Sequence, residues 1–174
     1  MEGDGRAEGF RKILDAYAER RREPGRPTSR GMWVSSTAAE VFELLAVLDA
    51  ERCRRFVDLG SGDGLVTCIA SLFCPATGIE ADAALVAEAG ALRDRLGLKA
   101  EFICGDFLRE DLSRYDLLYI YPDKPLSPVL EEVLAEGGAG RLVVYGCHFP
   151  PGRLSRVKTV QLATCQAAVY QGLG

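Results

Sequence analysis

Apolar and polar residues follow a helical period in five stretches of the chain. In each stretch apolar side chains recur every three or four positions, which predicts an amphipathic helix. The predicted helices span residues 7–22, 38–48, 65–73, 82–96 and 128–136. The apolar face of the first comprises Phe10, Ile13, Leu14 and Tyr17. Ser36 or Thr37 is expected to cap the N-terminus of the second.

Short apolar runs between these helices predict β-strands. Five of them are expected at residues 56–59, 76–80, 100–104, 116–121 and 141–146. The alternating segments 156–162 and 167–171 predict two more strands joined by a short turn. The order of these elements predicts an α/β fold, in which a mostly parallel sheet of about seven strands ends in an antiparallel hairpin.

Length and composition indicate one globular domain. The chain has 174 residues, of which 48% are hydrophobic and 26% charged, so it can bury a full core without disulfides. Its six cysteines include no CxxC pair and it has one histidine, so a zinc site is not expected. Free thiols favour a reducing cytoplasm. No apolar run approaches the ~20 residues of a membrane span, and no signal peptide follows the polar N-terminus, so no membrane partner is expected.

A glycine-rich loop separates the first of these strands from the helix that follows it. The segment Asp58-Leu59-Gly60-Ser61-Gly62-Asp63-Gly64 has three glycines at alternate positions. Glycines allow a tight turn and a close approach of the backbone to a ligand, and a helix N-terminus offers free N–H groups. A dinucleotide fingerprint would need glycine or alanine at position 65, so Leu65 disfavours NAD and FAD. The loop predicts another kind of nucleotide site, or a tight turn alone.

This segment resembles the first motif of the class I S-adenosylmethionine-dependent methyltransferases. The resemblance implies a Rossmann-like three-layer αβα sandwich in residues 33–174, with residues 1–32 as an N-terminal helical extension. It also implies S-adenosylmethionine as the cofactor. The residues in this segment that are expected to bind it are Asp58, Gly60, Ser61, Gly62 and Gly64.

Two more carboxylates lie at the ends of the next two predicted strands, Glu80 as the last residue of one and Asp106 just beyond the other. An acid at the position of Glu80 can accept hydrogen bonds from both ribose hydroxyls of a nucleoside, or can serve only as an acid at a helix N-terminus. By the resemblance, Asp106 accepts from the adenine amino group, and Phe107 contributes its backbone N–H or places its side chain against the adenine ring. Three acids are expected at successive strand ends: Asp58 or Asp63, then Glu80 and Asp106. A lone carboxylate is costly to bury, whereas a ligand with an ammonium group, a ribose diol and an exocyclic amine would give each acid a partner.

The fourth predicted strand runs into Tyr121-Pro122-Asp123-Lys124. Family members hold the methyl acceptor at this corner, which implies Tyr121 and Asp123 as catalytic residues, with Tyr121 also beside the cofactor. Asp123 can act as a general base or orient an amine, or it can be a turn residue between two prolines. The corner differs from the Asn-Pro-Pro-Tyr or Asp-Pro-Pro-Tyr of many amide and adenine amino methyltransferases, which disfavours those acceptors.

Two segments resemble small protein-lysine methyltransferases of the archaeal and mitochondrial type. Trp33-Val34-Ser35-Ser36-Thr37 stands where those enzymes have a segment resembling Tyr-Val-Pro-Thr-Pro, which implies that Trp33 lies over the cofactor; a place in the core is the alternative. Cys147-His148-Phe149 is a shortened form of a second motif of that group. The resemblance implies methyl transfer to a nucleophile, such as a protein lysine. The alternative is a cofactor-binding module without turnover that acts through a partner.

The distribution of charge bears on the choice of partner. Residues 1–35 carry eight basic and six acidic side chains, whereas the whole chain has a net charge of −4. This balance predicts no broad basic face, so nucleic acid is not expected as a partner. The methyl acceptor is expected to be a protein or a small molecule.

Overall fold

The computed structural model describes residues 2–19, 25–28, 31–34, 36–136, 140–146 and 148–172. The helices in this part of the chain are α1 (Glu2–Ala18), α2 (Ala38–Val47), α3 (Leu65–Ala70), α4 (Ala83–Leu96) and α5 (Pro128–Glu136). The strands are β1 (Gly25–Thr28), β2 (Gly31–Val34), β3 (Phe56–Leu59), β4 (Ala76–Glu80), β5 (Ala100–Cys104), β6 (Leu117–Ile120), β7 (Arg141–Tyr145), β8 (Ser155–Gln161) and β9 (Gln166–Gln171). Short 3-10 turns occupy Ala50–Arg52, Phe107–Arg109 and Leu112–Arg114.

Seven strands form one sheet in the order β5-β4-β3-β6-β7-β9-β8. The first five strands in this order run parallel to one another, whereas β9 pairs antiparallel with β7 and with β8. A parallel strand covered on both faces needs a continuous apolar run, and β3 and β6 are buried along their whole lengths. The predicted Rossmann-like sandwich with an antiparallel C-terminal hairpin is confirmed.

The core lies on both faces of the sheet, because successive residues of a strand point to opposite sides. On one face, Phe56 of β3 and Leu117 of β6 share a cluster with the apolar sides of α1, α2 and α3. On the other face, Val57 and Leu118 pack with Leu130 of α5. The glycine-rich loop and its neighbours at the end of the sheet are therefore supported by helices on both sides.

Helix α1 belongs to the first of these two clusters. It buries Ile13, Ala16 and Tyr17, whereas Leu14, which was predicted to face inward, is 38% exposed. The helix begins at Glu2 and ends at Ala18, so it lies closer to the N-terminus than the predicted range of 7–22. The division of the chain at residue 33 stays a prediction.

A two-stranded hairpin follows α1 where the sequence shows helix-breaking residues. Strands β1 and β2 are antiparallel, with Arg26 paired to Trp33 and Pro27 paired to Met32. Each strand has four residues, and β1 contains glycine and proline, which are depleted in strands. Strands this short have too few residues to show an alternation of apolar and polar side chains, so the sequence pattern did not indicate the hairpin.

At two helix ends the structure differs in part from the prediction. Thr37 is the N-cap residue of α2 but makes no side-chain capping bond. The hydroxyl of Ser36 instead lies 2.9 Å from the hydroxyl of Tyr119. Helix α3 was predicted to reach residue 73, but it ends at Ala70, and residues 71–73 form turns.

Within the described ranges, none of the helices combines the length and apolar character that crossing a membrane requires.

Candidate active site

A cleft of about 280 Å³ opens at the carboxyl ends of β3, β4, β5 and β6. Open α/β sheets bind their ligands at this edge. The cleft brings together six of the residues that were predicted to form the site. These are Gly60, Glu80, Asp106, Phe107, Tyr121 and Asp123. Apolar residues complete the wall, among them Ile79, Leu108, Leu126 and Leu130.

The three glycines of the loop all have left-handed backbone, with φ of +78° at Gly60, +55° at Gly62 and +84° at Gly64. Of these, Gly60 lines the cleft, and a Cβ built there would meet nothing within 4 Å. At Gly64 a Cβ would lie 2.7 Å from Ala89 and 2.8 Å from Phe102. Gly60 therefore leaves the backbone open to a ligand, whereas Gly64 allows the loop to pack closely on α4 and β5.

Asp58 is buried behind the cleft and does not line it. Its side chain is directed to α3, where Oδ2 accepts a hydrogen bond of 3.0 Å from Thr67 Oγ1. Burial, together with the charges of Glu80 and Asp63, raises the pKa of the Asp58 carboxyl to about 7, against the lowering effect of the Thr67 hydrogen bond. A direct contact between Asp58 and a cofactor stays a prediction.

Glu80 and Asp106 present carboxylates at the ends of neighbouring strands. Glu80 Oε2 accepts a hydrogen bond of 3.0 Å from the Gly62 N–H, and Oε1 accepts one of 2.8 Å from the Asp82 N–H. Asp106 Oδ1 accepts a hydrogen bond of 3.1 Å from the Leu108 N–H. These bonds hold both carboxylates in place. Each oxygen has two lone pairs, so both groups can also accept hydrogen bonds from a ligand.

Tyr121 and Asp123 lie on the segment that follows β6, on another wall of the cleft. Tyr121 is 37% exposed, and its ring meets that of buried Tyr145 edge to face, with the ring centroids 4.9 Å apart. Lys124 lines the cleft beside the exposed Asp123. An aromatic ring, a carboxylate and an ammonium group thus border the same cleft as Glu80. We call Tyr121, Asp123 and Lys124 the acceptor corner.

Among the described residues, Asp58, Ser61, Gly62 and Gly64 were also predicted for the site but are not part of the cleft lining. Gly62 contributes its N–H to Glu80, and the Ser61 hydroxyl is buried, facing Gly78. The backbone of Trp33 belongs to β2, but its side chain lies outside the described residues. Cys147 lies outside them too. His148 is exposed and apart from the cleft lining.

A buried polar network behind Tyr121 was not predicted. Glu40, in the first turn of α2, is 2% exposed and accepts hydrogen bonds from the Tyr145 hydroxyl and the Thr164 N–H. Burial alone would raise the pKa of Glu40, but these hydrogen bonds outweigh it and hold the pKa below its usual value. The sequence does contain one indication that Glu40 is buried. It lies four residues before Leu44, which places both residues on the buried side of α2.

No protein-family model matches this sequence, and no curated protein sequence matches it. Solved structures are similar in fold. An RNA methyltransferase from Salinibacter ruber, in complex with S-adenosyl-L-homocysteine, is 25% identical; the match covers 81% of this chain and 95% of that chain, with a TM-score of 0.67. The 16S rRNA methyltransferase RsmC of T. thermophilus, in complex with AdoMet and guanosine, is 16% identical over 85% of this chain and 49% of its own, with a TM-score of 0.59. The mitomycin 7-O-methyltransferase MmcR is 16% identical over 78% of this chain and 53% of its own, with a TM-score of 0.63.

All three of these proteins are methyltransferases, and two of them were solved with S-adenosylmethionine or its demethylated form. Two of them are named as RNA methyltransferases, and the third is named for mitomycin. They therefore do not support the lysine part of the sequence interpretation, nor the expectation that nucleic acid is not a partner. The chain is similar in fold to S-adenosylmethionine-dependent methyltransferases.

Proposed function

We propose that this protein is an S-adenosylmethionine-dependent methyltransferase. The observation that supports this most is the pair of anchored carboxylates, Glu80 and Asp106, beside the open backbone of Gly60. Carboxylates at adjacent strand ends suit a nucleoside, since one can accept from the ribose diol and the other from an exocyclic amine. The similarity to an RNA methyltransferase in complex with S-adenosyl-L-homocysteine agrees with this assignment.

The residues of the cleft fit this cofactor by their chemistry. Glu80 would accept from the ribose hydroxyls, Asp106 from the adenine amino group, and Phe107 would lie against the adenine ring. Bound S-adenosylmethionine supplies a methyl group on a sulfonium, and the thioether that leaves is neutral. The protein mainly has to hold donor and acceptor in line, so the geometry of Tyr121 and Asp123 decides the rate.

We propose an amine acceptor at the acceptor corner, such as the side chain of a protein lysine. With Glu80 and Asp106 assigned to the cofactor, the acceptor corner offers one carboxylate, Asp123, beside one ammonium group, Lys124. The Asp123 carboxylate can accept a hydrogen bond from an amine. A lysine ammonium must lose a proton before it attacks, and Asp123 would take that proton as the general base. RNA is the competing acceptor, because of the similarity to RNA methyltransferases.

Calorimetric titration of the purified protein tests the cofactor. S-adenosylmethionine and S-adenosylhomocysteine are expected to bind, and NADH, as the control, is not. Absence of binding by the first two, or binding of NADH alone, would contradict the proposed function.

Transfer of a radiolabelled methyl group tests the acceptor. The experiment compares two sets of acceptors. The lysine arm contains lysine peptides and the protein's own lysines, which are Lys12, Lys99, Lys124 and Lys158. The RNA arm contains ribosomal RNA. We expect label in the lysine arm, lost in Asp123→Asn with unchanged cofactor affinity. Label in RNA alone would overturn the amine acceptor. Cofactor binding with transfer to neither would favour a binding module without turnover.

A further inference from the structure

Glu40 is a buried carboxylate that the proposed reaction does not use. Buried charges are costly unless hydrogen bonds satisfy them. Its Oε2 accepts from the Tyr145 hydroxyl and its Oε1 from the Thr164 N–H, and Cys165 Sγ lies 3.7 Å from Oε2. Glu40 therefore joins α2 to the end of β7 and to the turn between β8 and β9.

Tyr145 connects this carboxylate to the acceptor corner. Its ring plane lies at 75° to that of Tyr121, with the centroids 4.9 Å apart. Gly146 lies on the same side, since an added Cβ there would come to 3.5 Å from Tyr121 Cε2. Tyr121 thus packs on Tyr145, while part of its ring faces the cleft.

We propose that Tyr145, fixed by Glu40, is a positioning residue that sets the plane of the Tyr121 ring at the acceptor corner. Aromatic pairs prefer defined distances and angles, so a displacement of one ring moves the other. The hydroxyl bond to Glu40 prevents Tyr145 from tilting, because α2 and the turn between β8 and β9 hold the carboxylate in place. As far as it concerns turnover, this inference rests on the proposed function.

Fluorine NMR of the full chain measures the Tyr121 ring without any acceptor. With 3-fluorotyrosine at all six tyrosines, the Tyr121 signal is the one lost in Tyr121→Phe. Tyr145→Phe keeps the supporting ring but removes its bond to Glu40, and Glu40→Ala removes the same bond from the other side. In both variants we expect the Tyr121 signal to shift or split.

Tyr17→Phe is the matched control for these variants. It removes another buried phenol hydroxyl, which donates to the Asp63 main-chain oxygen at 2.8 Å, and should leave the Tyr121 signal in place. An unchanged Tyr121 signal in Tyr145→Phe and Glu40→Ala would overturn the inference. An equal shift in Tyr17→Phe would also overturn it, since loss of any buried hydroxyl would then suffice.

Kinetics give a second readout once an acceptor is known. Tyr145→Phe is expected to lower kcat roughly tenfold or more, because small displacements at a reacting centre can cost up to about a hundredfold. Its affinity for S-adenosylhomocysteine should match that of the wild-type protein. Failure of the wild-type protein to bind the cofactor would count against the proposed function but leave the fluorine result intact, so the two failures are distinguishable.

Discussion

The hydroxyl of Tyr17 in α1 donates a hydrogen bond of 2.8 Å to the main-chain oxygen of Asp63 in the glycine-rich loop. Both residues are buried, at 3% and 6% exposure. Asp63 lies between Gly62 and Gly64, both of which have left-handed backbone. Helix α1 therefore supports, from behind, the loop that we propose to receive the cofactor.

Tyr17→Phe is expected to weaken binding of S-adenosylmethionine. The variant keeps the ring but loses one buried hydrogen bond, which contributes about 1 kcal/mol. If that bond orders the loop, the dissociation constant should rise by up to about fivefold, the equivalent of about 1 kcal/mol. Calorimetric titration measures the change.

Arg95→Ala is the control for Tyr17→Phe. Arg95 donates to the Ala16 main-chain oxygen at 3.3 Å and pairs with Glu19, so its loss loosens the same helix without touching the loop. Cofactor affinity should be unchanged in this variant. Equal weakening in both would mean that the whole helix, rather than the Tyr17 hydrogen bond, supports the loop.

The sheet and part of the site could be predicted because both depend on local patterns. The apolar runs of β3 and β6 indicate strands, and carboxyl ends of parallel strands meet at one edge. That rule places Glu80 and Asp106 in one cleft. Asp58 lies inside β3, as predicted, so its side chain follows the strand's alternation and is directed toward Thr67. A motif shows that an acid is present but not which way its side chain points.

The contacts that escaped prediction join distant parts of the chain. Glu40 and Tyr145 are 105 positions apart, and Tyr17 and Asp63 are 46 apart. Helical periodicity can show that a carboxylate falls on a buried stripe, but the partner that satisfies it depends on how elements pack.

Asp106→Ala tests the adenine assignment. Asp106 and Asp111 cap consecutive 3-10 turns in the same way, since each Oδ1 accepts a hydrogen bond of 3.1 Å from an N–H two residues later. Of the two, Asp106 lines the cleft. Asp106→Ala should weaken cofactor binding about tenfold or more, because hydrogen bonds to charged groups contribute about 1.5–3 kcal/mol. Asp111→Ala removes a similar cap and should leave affinity unchanged. Wild-type affinity in Asp106→Ala would rule out the assignment.

Two glycine variants are expected to affect different properties. Gly60→Ala should mainly lower cofactor affinity, and Gly64→Ala should mainly lower the free energy of unfolding. Both alanines would take a left-handed backbone, at a cost of about 1–2 kcal/mol each. At Gly64 the methyl group would also overlap Ala89 and Phe102, which adds about 1–3 kcal/mol. At Gly60 it would enter open space at the cleft. We expect urea unfolding to show the larger loss of stability in Gly64→Ala, and titration to show the larger loss of affinity in Gly60→Ala. Full cofactor affinity in Gly60→Ala would show that the ligand does not approach this backbone.

Asp58 should make the free energy of unfolding depend on pH. Burial raises its pKa to about 7 in the folded state, whereas an unfolded aspartate titrates near about 3.9. Between these values the folded state binds more protons than the unfolded state, so the free energy of unfolding falls as pH rises. The fall is about 1.4 kcal/mol per pH unit and on the order of 4 kcal/mol in total.

Asp58→Asn should remove this slope, because the amide has no proton to lose and can still accept a hydrogen bond from Thr67. In urea unfolding, the wild-type protein is expected to lose about 3 kcal/mol between about pH 5 and pH 8, and the variant little. Asp116→Asn is the control: hydrogen bonds from the Arg54 and Arg55 N–H groups outweigh burial and lower the pKa of Asp116, so its contribution is complete below this range. An unchanged slope in Asp58→Asn would mean that another group takes up the proton and that Asp58 is charged beneath the glycine-rich loop.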